Sequence, residues 1–167
     1  NEFRYMDTND SGEFHGEYLA NDRLINSDRY ALVWQHAQNF GYGFSGTINA
    51  QKVSDDAYFT DLSDKIAATS QTNLPREANL SYGAGWLSAN LRTQRFQTLQ
   101  DPLAPIVPPY ARVPQFTLNV ERQGLYGFDP NLSAEWVQFE HPTLITGRRE
   151  ILYPSLSLPL QSAYFYI

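Results

Sequence analysis

A two-residue rhythm of apolar and polar side chains runs through most of this chain and leaves room for little besides β-sheet. From Phe44, the apolar set is Phe44, Gly46, Ile48 and Ala50, and the polar set is Ser45, Thr47, Asn49 and Gln51. Further on, Glu77, Asn79 and Ser81 alternate with Ala78, Leu80 and Tyr82. Ser88, Asn90, Arg92 and Gln94 then interleave with Leu87, Ala89 and Leu91, and Gln115, Thr117, Asn119 and Glu121 with Phe116, Leu118 and Val120. Near the end, Leu152, Pro154, Leu156, Leu158 and Leu160 oppose Tyr153, Ser155 and Ser157. Successive side chains of a strand point to opposite faces, so period two is the strand period. Helical spacing is nowhere sustained; the stretch from Tyr58 to Ile66 has room for a turn or two within a loop.

The rhythm divides into roughly nine or ten strands of about ten residues, longer than the soluble strand of about five or six. Turn chemistry separates them at Asn9–Gly12, Asn39–Gly43, Gly83–Gly85 and Tyr126–Asn131. Longer connections are expected over Ala20–Asp28, Ser54–Asn73 and Gln100–Val113. The last holds Pro102, Pro105, Pro108 and Pro109, which cannot donate to a ladder. Tight turns alternating with long connections describe an all-β, antiparallel up-and-down meander.

Composition narrows the class. The chain has 167 residues, 12 Lys+Arg against 18 Asp+Glu and a formal charge of −6, so it offers no phosphate-tracking basic footprint and no nucleic acid is expected as a partner. Aromatics make up 14%, against disorder. Cysteine is absent, which removes disulfides and thiolate zinc sites from these residues. No apolar run reaches the ~18 residues of a spanning helix. The chain opens on Asn1-Glu2-Phe3-Arg4-Tyr5 and stops in Ala163-Tyr164-Phe165-Tyr166-Ile167. Both ends read as strand interiors, which points to a segment of a longer polypeptide.

Alternation alone fits two architectures. In a soluble sandwich the apolar face lines a core; in an outer-membrane barrel it meets lipid and the polar face lines a lumen. Strand length, uncharged amides and hydroxyls on the polar face, aromatics near strand ends (Trp34, Phe40, Tyr42, Trp86, Phe96, Tyr110, Trp136, Phe139) and long loops on one edge favour the barrel. The lumen-lining candidates are then the polar sets given above: Ser45, Thr47, Asn49, Gln51, Glu77, Asn79, Ser81, Ser88, Asn90, Arg92, Gln94, Gln115, Thr117, Asn119 and Glu121.

No constellation for bond chemistry stands out. Asp7-Thr8-Asn9-Asp10-Ser11-Gly12 resembles half of a calcium-binding loop, but the twelfth position is Tyr18 rather than Glu, and a hairpin turn explains the same residues. His15, His36 and His141 have no metal or triad spacing. Glu135 and Glu140 are a candidate glycosidase pair, provided their separation suits a sugar. Arg148-Arg149, and Arg92 with Arg95, are the local basic features that could grip a phosphate. No catalytic residue, metal or cofactor is expected.

Several stretches carry a resemblance to one family. The opening Asn1–Tyr5, the run Lys52-Val53-Ser54-Asp55-Asp56-Ala57-Tyr58-Phe59-Thr60-Asp61-Leu62, and Leu74-Pro75-Arg76-Glu77 come first. Gln94–Gln100, Pro109-Tyr110-Ala111-Arg112-Val113-Pro114-Gln115 and Leu152–Leu160 follow in order. Together they are similar to the C-terminal barrel domain of the LptD family, the outer-membrane lipopolysaccharide-assembly or organic solvent tolerance proteins. The resemblance implies a partial β-barrel domain over residues 1–167, roughly a third of a very large wall, without the family's N-terminal jellyroll domain, its disulfide cysteines or the strands of its lateral gate. It implies non-enzymatic transport, lipopolysaccharide as cargo, an LptE-like plug lipoprotein, a periplasmic bridge that docks through the N-terminal domain, and a place in the outer membrane. The bland alternatives are a soluble β-sandwich that binds glycan and, more remotely, a β-rich glycosidase. Cut from a barrel, such a segment would carry two open edges and a bare apolar face, and is expected to aggregate or require detergent.

Overall fold

In the computed structural model, which describes residues 1–63 and 71–159, the alternating runs become nine strands of one sheet. They are β1 (Glu2–Met6), β2 (Asp10–Asp22), β3 (Ser27–Gly41), β4 (Phe44–Val53), β5 (Asn73–Gly83), β6 (Leu87–Thr98), β7 (Ala111–Glu121), β8 (Asp129–Glu140) and β9 (Gly147–Ser157). Every strand pairs antiparallel with its sequence neighbours, in the order β1 to β9. This is the expected meander. Among the described residues the sheet is open, its two edges being β1 and β9. The expected strand positions of Leu160 and Ala163–Ile167 lie outside the described residues.

Connections over 7–9, 42–43, 84–86 and 122–128 lie at one end of the sheet; those over 23–26, 54–72, 99–110 and 141–146 lie at the other. Several boundaries differ from the sequence reading; residues 39–41 of one expected turn belong to β3 and residues 129–131 of another to β8. Asp10, Ser11 and Gly12 belong to β2, since Ser11 and Gly12 pair with Met6 and Tyr5. Ala20–Asp28 is not a long connection: β2 and β3 continue until only residues 23–26 separate them. There the Asp28 carboxylate accepts from Asn21 N (2.9 Å) and Tyr18 Oη (2.6 Å), so side chains extend the hairpin beyond its apolar alternation. Ala111–Val113 likewise belongs to β7. The turn foreseen near Tyr58 is a short helix, α1 (Tyr58–Leu62), which the chain forms before residues 64–66 of that reading pass outside the described residues.

The turn 42–43 has φ of 52° at Tyr42 and 85° at Gly43, the doubly left-handed geometry that matches strand twist. Gly43 is obligatory for a second reason: its carbonyl accepts from Gly83 N at 2.9 Å, and a Cβ there would strike the Gly83 carbonyl. Pro114 sits in a central strand, where the missing N–H is usually excluded. Its neighbours explain it. Both β6 and β8 slip register between Arg112 and Gln115, so Val113–Pro114 forms a bulge that asks for no ladder donor.

What the sheet lacks is a core. Among the described residues only Ala31, Val53, Tyr58, Leu74, Leu99 and Val137 are buried hydrophobics, while thirty large hydrophobics are exposed. The first five of the six, with Phe59, make one cluster at the loop end. Beyond Ala50 and Arg76, strands β4 and β5 no longer pair. The Gln97 side chain stands in for the absent partner: its Oε1 accepts from Val53 N (3.2 Å) and its Nε2 donates to Val53 O (2.9 Å). Gln97→Ala should leave both groups unsatisfied at a cost of about 1–3 kcal/mol. Hydrogen exchange should then accelerate at Val53 and not at Ile48, which β5 still protects; unchanged Val53 exchange would remove this role.

Candidate functional site: an amide-rich face and its loop cap

The register decides which residues share a face. Asn49 stands beside Glu77, Glu77 beside Gln94, and Gln94 beside Arg112. The next row runs Thr47, Asn79, Arg92, Gln115, and the next Ser45, Ser81, Asn90, Thr117, Glu135. Ser88 and Asn119 form the following pair, Glu121 pairs with Asn131, and Gln51 with Val33. All fifteen residues singled out from alternation therefore lie on one face.

That face is knitted by side chains. Glu77 Oε2 accepts from Arg92 Nη2 (2.6 Å) and Gln94 Nε2 (2.8 Å). Asn90 donates to Asn79 Oδ1 (2.5 Å) and Ser81 Oγ (2.9 Å). Glu135 accepts from Gln115 Nε2 (2.6 Å) and Arg149 Nη2 (2.8 Å), and Ser133 donates to Asn119 (3.1 Å). Among the described residues, three buried polar atoms, Asn49 Oδ1, Arg92 Nε and Gln115 Oε1, have no hydrogen-bond partner. Buried polar groups are ordinarily satisfied, so this face retains unused capacity for a polar occupant.

The opposite face presents Phe14, Trp34, Leu80, Leu91, Phe116 and Leu152, all well exposed. Among the apolar side chains of that face stands His36. The ring is stacked near Trp34 and bonded to the Tyr5 hydroxyl, which reaches it across Gly12. A Cβ on Gly12 would run into the Tyr5 ring. His15 instead lies on the amide face, 3.0 Å from Glu17 Oε1. His141 organises the loops: its Nδ1 accepts from Leu144 N (2.8 Å) and Thr143 N (3.1 Å), and its Nε2–H donates to Pro108 O (2.9 Å). In the Asp7–Gly12 stretch, the Asp7 carboxylate is engaged by Thr8 N at 2.7 Å, as in an ordinary turn. Glu135 and Glu140 lie on opposite faces, Glu140 pairing with Arg95 at 2.9 Å, so no sugar can sit between them. Arg148 and Arg149, adjacent in sequence, also diverge, to Glu150 and Glu135.

Alternation gave no sign of the most buried charge among the described residues. Arg29, on the amide-face side of β3 and fully buried, forks onto Asp55 through Nε (3.0 Å) and Nη2 (2.8 Å). Its Nη1 donates to Asp22 (3.1 Å) and Asp61 (2.9 Å). The guanidinium also lies 5.5 Å from the Tyr58 ring centroid. Asp55 stands just before α1 and Asp61 within it, and Tyr58 Oη donates to Glu17 at 2.8 Å. The connection 54–62 is thus folded over the amide face at the loop end and fastened to β2 and β3. The signal was present in the run from Lys52 to Leu62, but its partner Arg29 lies 26 to 32 residues away, beyond any local pattern.

Burial, and behind it the bond to Glu17, push the Tyr58 hydroxyl from 10.0 up to about 12. The folded state holds this proton more tightly than the unfolded one. The contribution is therefore complete below pH 10.0 and is lost as pH rises through about 12. Protease access to residues 55–62 should rise over that window, and Tyr58→Phe should flatten the step while costing about 1 kcal/mol. An alkaline step that persists in the Phe variant would assign it elsewhere.

Comparison with known proteins agrees with this geometry. Residues 27–167 match the family model "LptD: LPS transport system D". The chain is 41% identical over its whole length to an LPS-assembly protein LptD of Nitrosomonas eutropha, covering 24% of that protein. It is 42% identical over 93% of its length to the one of Chromobacterium violaceum, covering 20% of it, and 41% identical over 99% to that of an Azoarcus species, covering 21%. The chain thus spans about a quarter or less of the curated relatives it matches. With a family model that takes in most of the chain and relatives near 40% identity along its whole length, this chain belongs to the LptD family.

Proposed function

We propose that residues 1–167 form part of the wall of a large outer-membrane β-barrel that delivers lipopolysaccharide to the outer leaflet. The observation that carries this reading is the division of an open nine-stranded sheet into an exposed apolar face and an in-register amide and hydroxyl face. Lipid satisfies the first and a hydrated lumen the second. The fifteen polar residues would then line the lumen, and Asn49, Arg92 and Gln115 would offer their spare hydrogen-bonding atoms to its contents. Those contents are the glycan of the passing cargo and a plug lipoprotein of the LptE type. The periplasmic bridge would dock elsewhere on the complete protein. Transport of this kind makes and breaks no bond, and the carboxylates Glu77 and Glu135 are already engaged by Arg and Gln side chains.

The test is site-specific photocrosslinking in cells. A benzophenone amino acid at Asn90 or Thr117 should capture lipoprotein or lipopolysaccharide, while one at Leu91 or Phe116 should capture no lipoprotein. Capture of the lipoprotein from Leu91 and not from Asn90 would reverse the two faces and overturn the reading.

A further inference from the structure

The apolar face does not stay apolar to the end of its strands. On β4 the outward series Phe44, Gly46, Ile48, Ala50 ends in Lys52; on β5, Tyr82, Leu80 and Ala78 give way to Arg76; on β6, Leu87, Ala89, Leu91 and Thr93 give way to Arg95. Arg76 lies four residues beyond Leu80, about 14 Å along the strand. That is roughly half the thickness of a bilayer's hydrocarbon core, so if Leu80 sits near the midplane the cations sit among the headgroups.

Arg76 and Arg95 are direct cross-strand partners. Like charges in that position oppose strand pairing, and a carboxylate meets one of the two: Glu140 lies 2.9 Å from Arg95. Among the described residues Arg76 has only the amide oxygen of Gln97, at 3.4 Å, and Lys52 only the face of Tyr30, 5.6 Å from its centroid. By contrast Arg4, Arg29, Arg92 and Arg149 each meet a carboxylate. A recess of about 480 Å³ opens beside the two arginines, walled by Phe96, Pro108, Pro109 and Pro142, with Glu140 and His141 on its polar side.

We propose that Arg76 and Arg95, flanked by Lys52, form a receptor on the lipid-facing wall for the phosphate of a phosphorylated lipid. The proposal rests on the barrel reading above. A phosphate held between two guanidinium forks turns their repulsion into attraction, and its oxygens match the planar donor sets. The adjoining recess accepts the glycerol or sugar that carries the phosphate, and the apolar series below accepts the acyl chains.

The test uses the complete protein carrying this chain, delipidated in non-ionic detergent and examined by native mass spectrometry. Phosphatidic acid should be retained, whereas diacylglycerol and soluble glycerophosphate should not. Arg76→Gln with Arg95→Gln should weaken retention about tenfold, the worth of one charge-assisted contact, and Arg76→Lys with Arg95→Lys should restore part of it. Arg122→Gln, a cation in the turn at the opposite rim, should change nothing. Equal retention by the double Gln variant, an equal loss in Arg122→Gln, or equal binding of glycerophosphate would each overturn the proposal while the protein remained detergent-dependent. A complete protein that is soluble without detergent would instead bring down the barrel reading, and this receptor with it.

Discussion

Arg29→Ala should release the connection 54–62 from the amide face and destabilise the loop end by about 3 kcal/mol. Removing one partner of a buried ion cluster costs about 3–5 kcal/mol, because the remaining charges are left uncompensated. Here those charges are three carboxylates: Asp22 is nearly buried, while Asp55 and Asp61 keep some contact with water and so bring the figure to the lower end. Arg29→Lys should recover only part, since an ammonium cannot fork onto Asp55 and still reach Asp22 and Asp61. Combining Arg29→Met with Asp22→Asn and Asp55→Asn should recover more than Arg29→Lys, because a cluster removed together leaves less unpaired charge than one removed by half. Cleavage within residues 54–62 by added protease is the readout. An Arg29→Ala protein whose connection resists protease as the parent does would show that the Tyr58 cluster, not the ions, holds the cap.

Leu91→Arg should cost about 2–4 kcal/mol in folding into vesicles, the range for an arginine near the midplane on the lipid face of a barrel. Asn119→Arg, on the other face, should change folding by less than about 1 kcal/mol, because its surroundings are already polar. Leu91 and Phe116 are cross-strand partners in the exposed apolar face, and Asn119 lies on the same strand as Phe116 at odd spacing. The contrast therefore isolates the face. Urea titration of the complete protein in vesicles measures it. Equal cost at the two positions would mean that both faces meet the same medium, which no barrel permits.

Much of this architecture was legible because it is local. Side-chain alternation in Phe44–Gln51 or Gln115–Glu121 needs no knowledge of the rest of the chain, and the register later put every member of those polar sets on one face. The hairpin of β2 and β3 was misjudged where alternation gives way to polar side chains that pair all the same, as Asp28 does with Asn21 and Tyr18. His36 carried no warning that it stands on the apolar face, since its acceptance there depends on Tyr5, 31 residues away, and on a glycine between them. Arg29 was silent for the same reason. A charge satisfied by one aspartate seven residues away and two others 26 and 32 residues away looks, in sequence, like any charge on a strand.

The strictly sequential pairing of β1 through β9 also bears on how fast and in what order the sheet forms. Among the described residues no pairing skips a strand, so the longest separation that must close before a new strand docks is that between Val53 and Asn73. Closure entropy grows only logarithmically with loop length, and chains dominated by near-neighbour pairing cross lower barriers than those that must bring distant segments together. The sheet can therefore grow by accretion, each hairpin offering its free edge as the template for the next, with no step that waits for the far end of the chain.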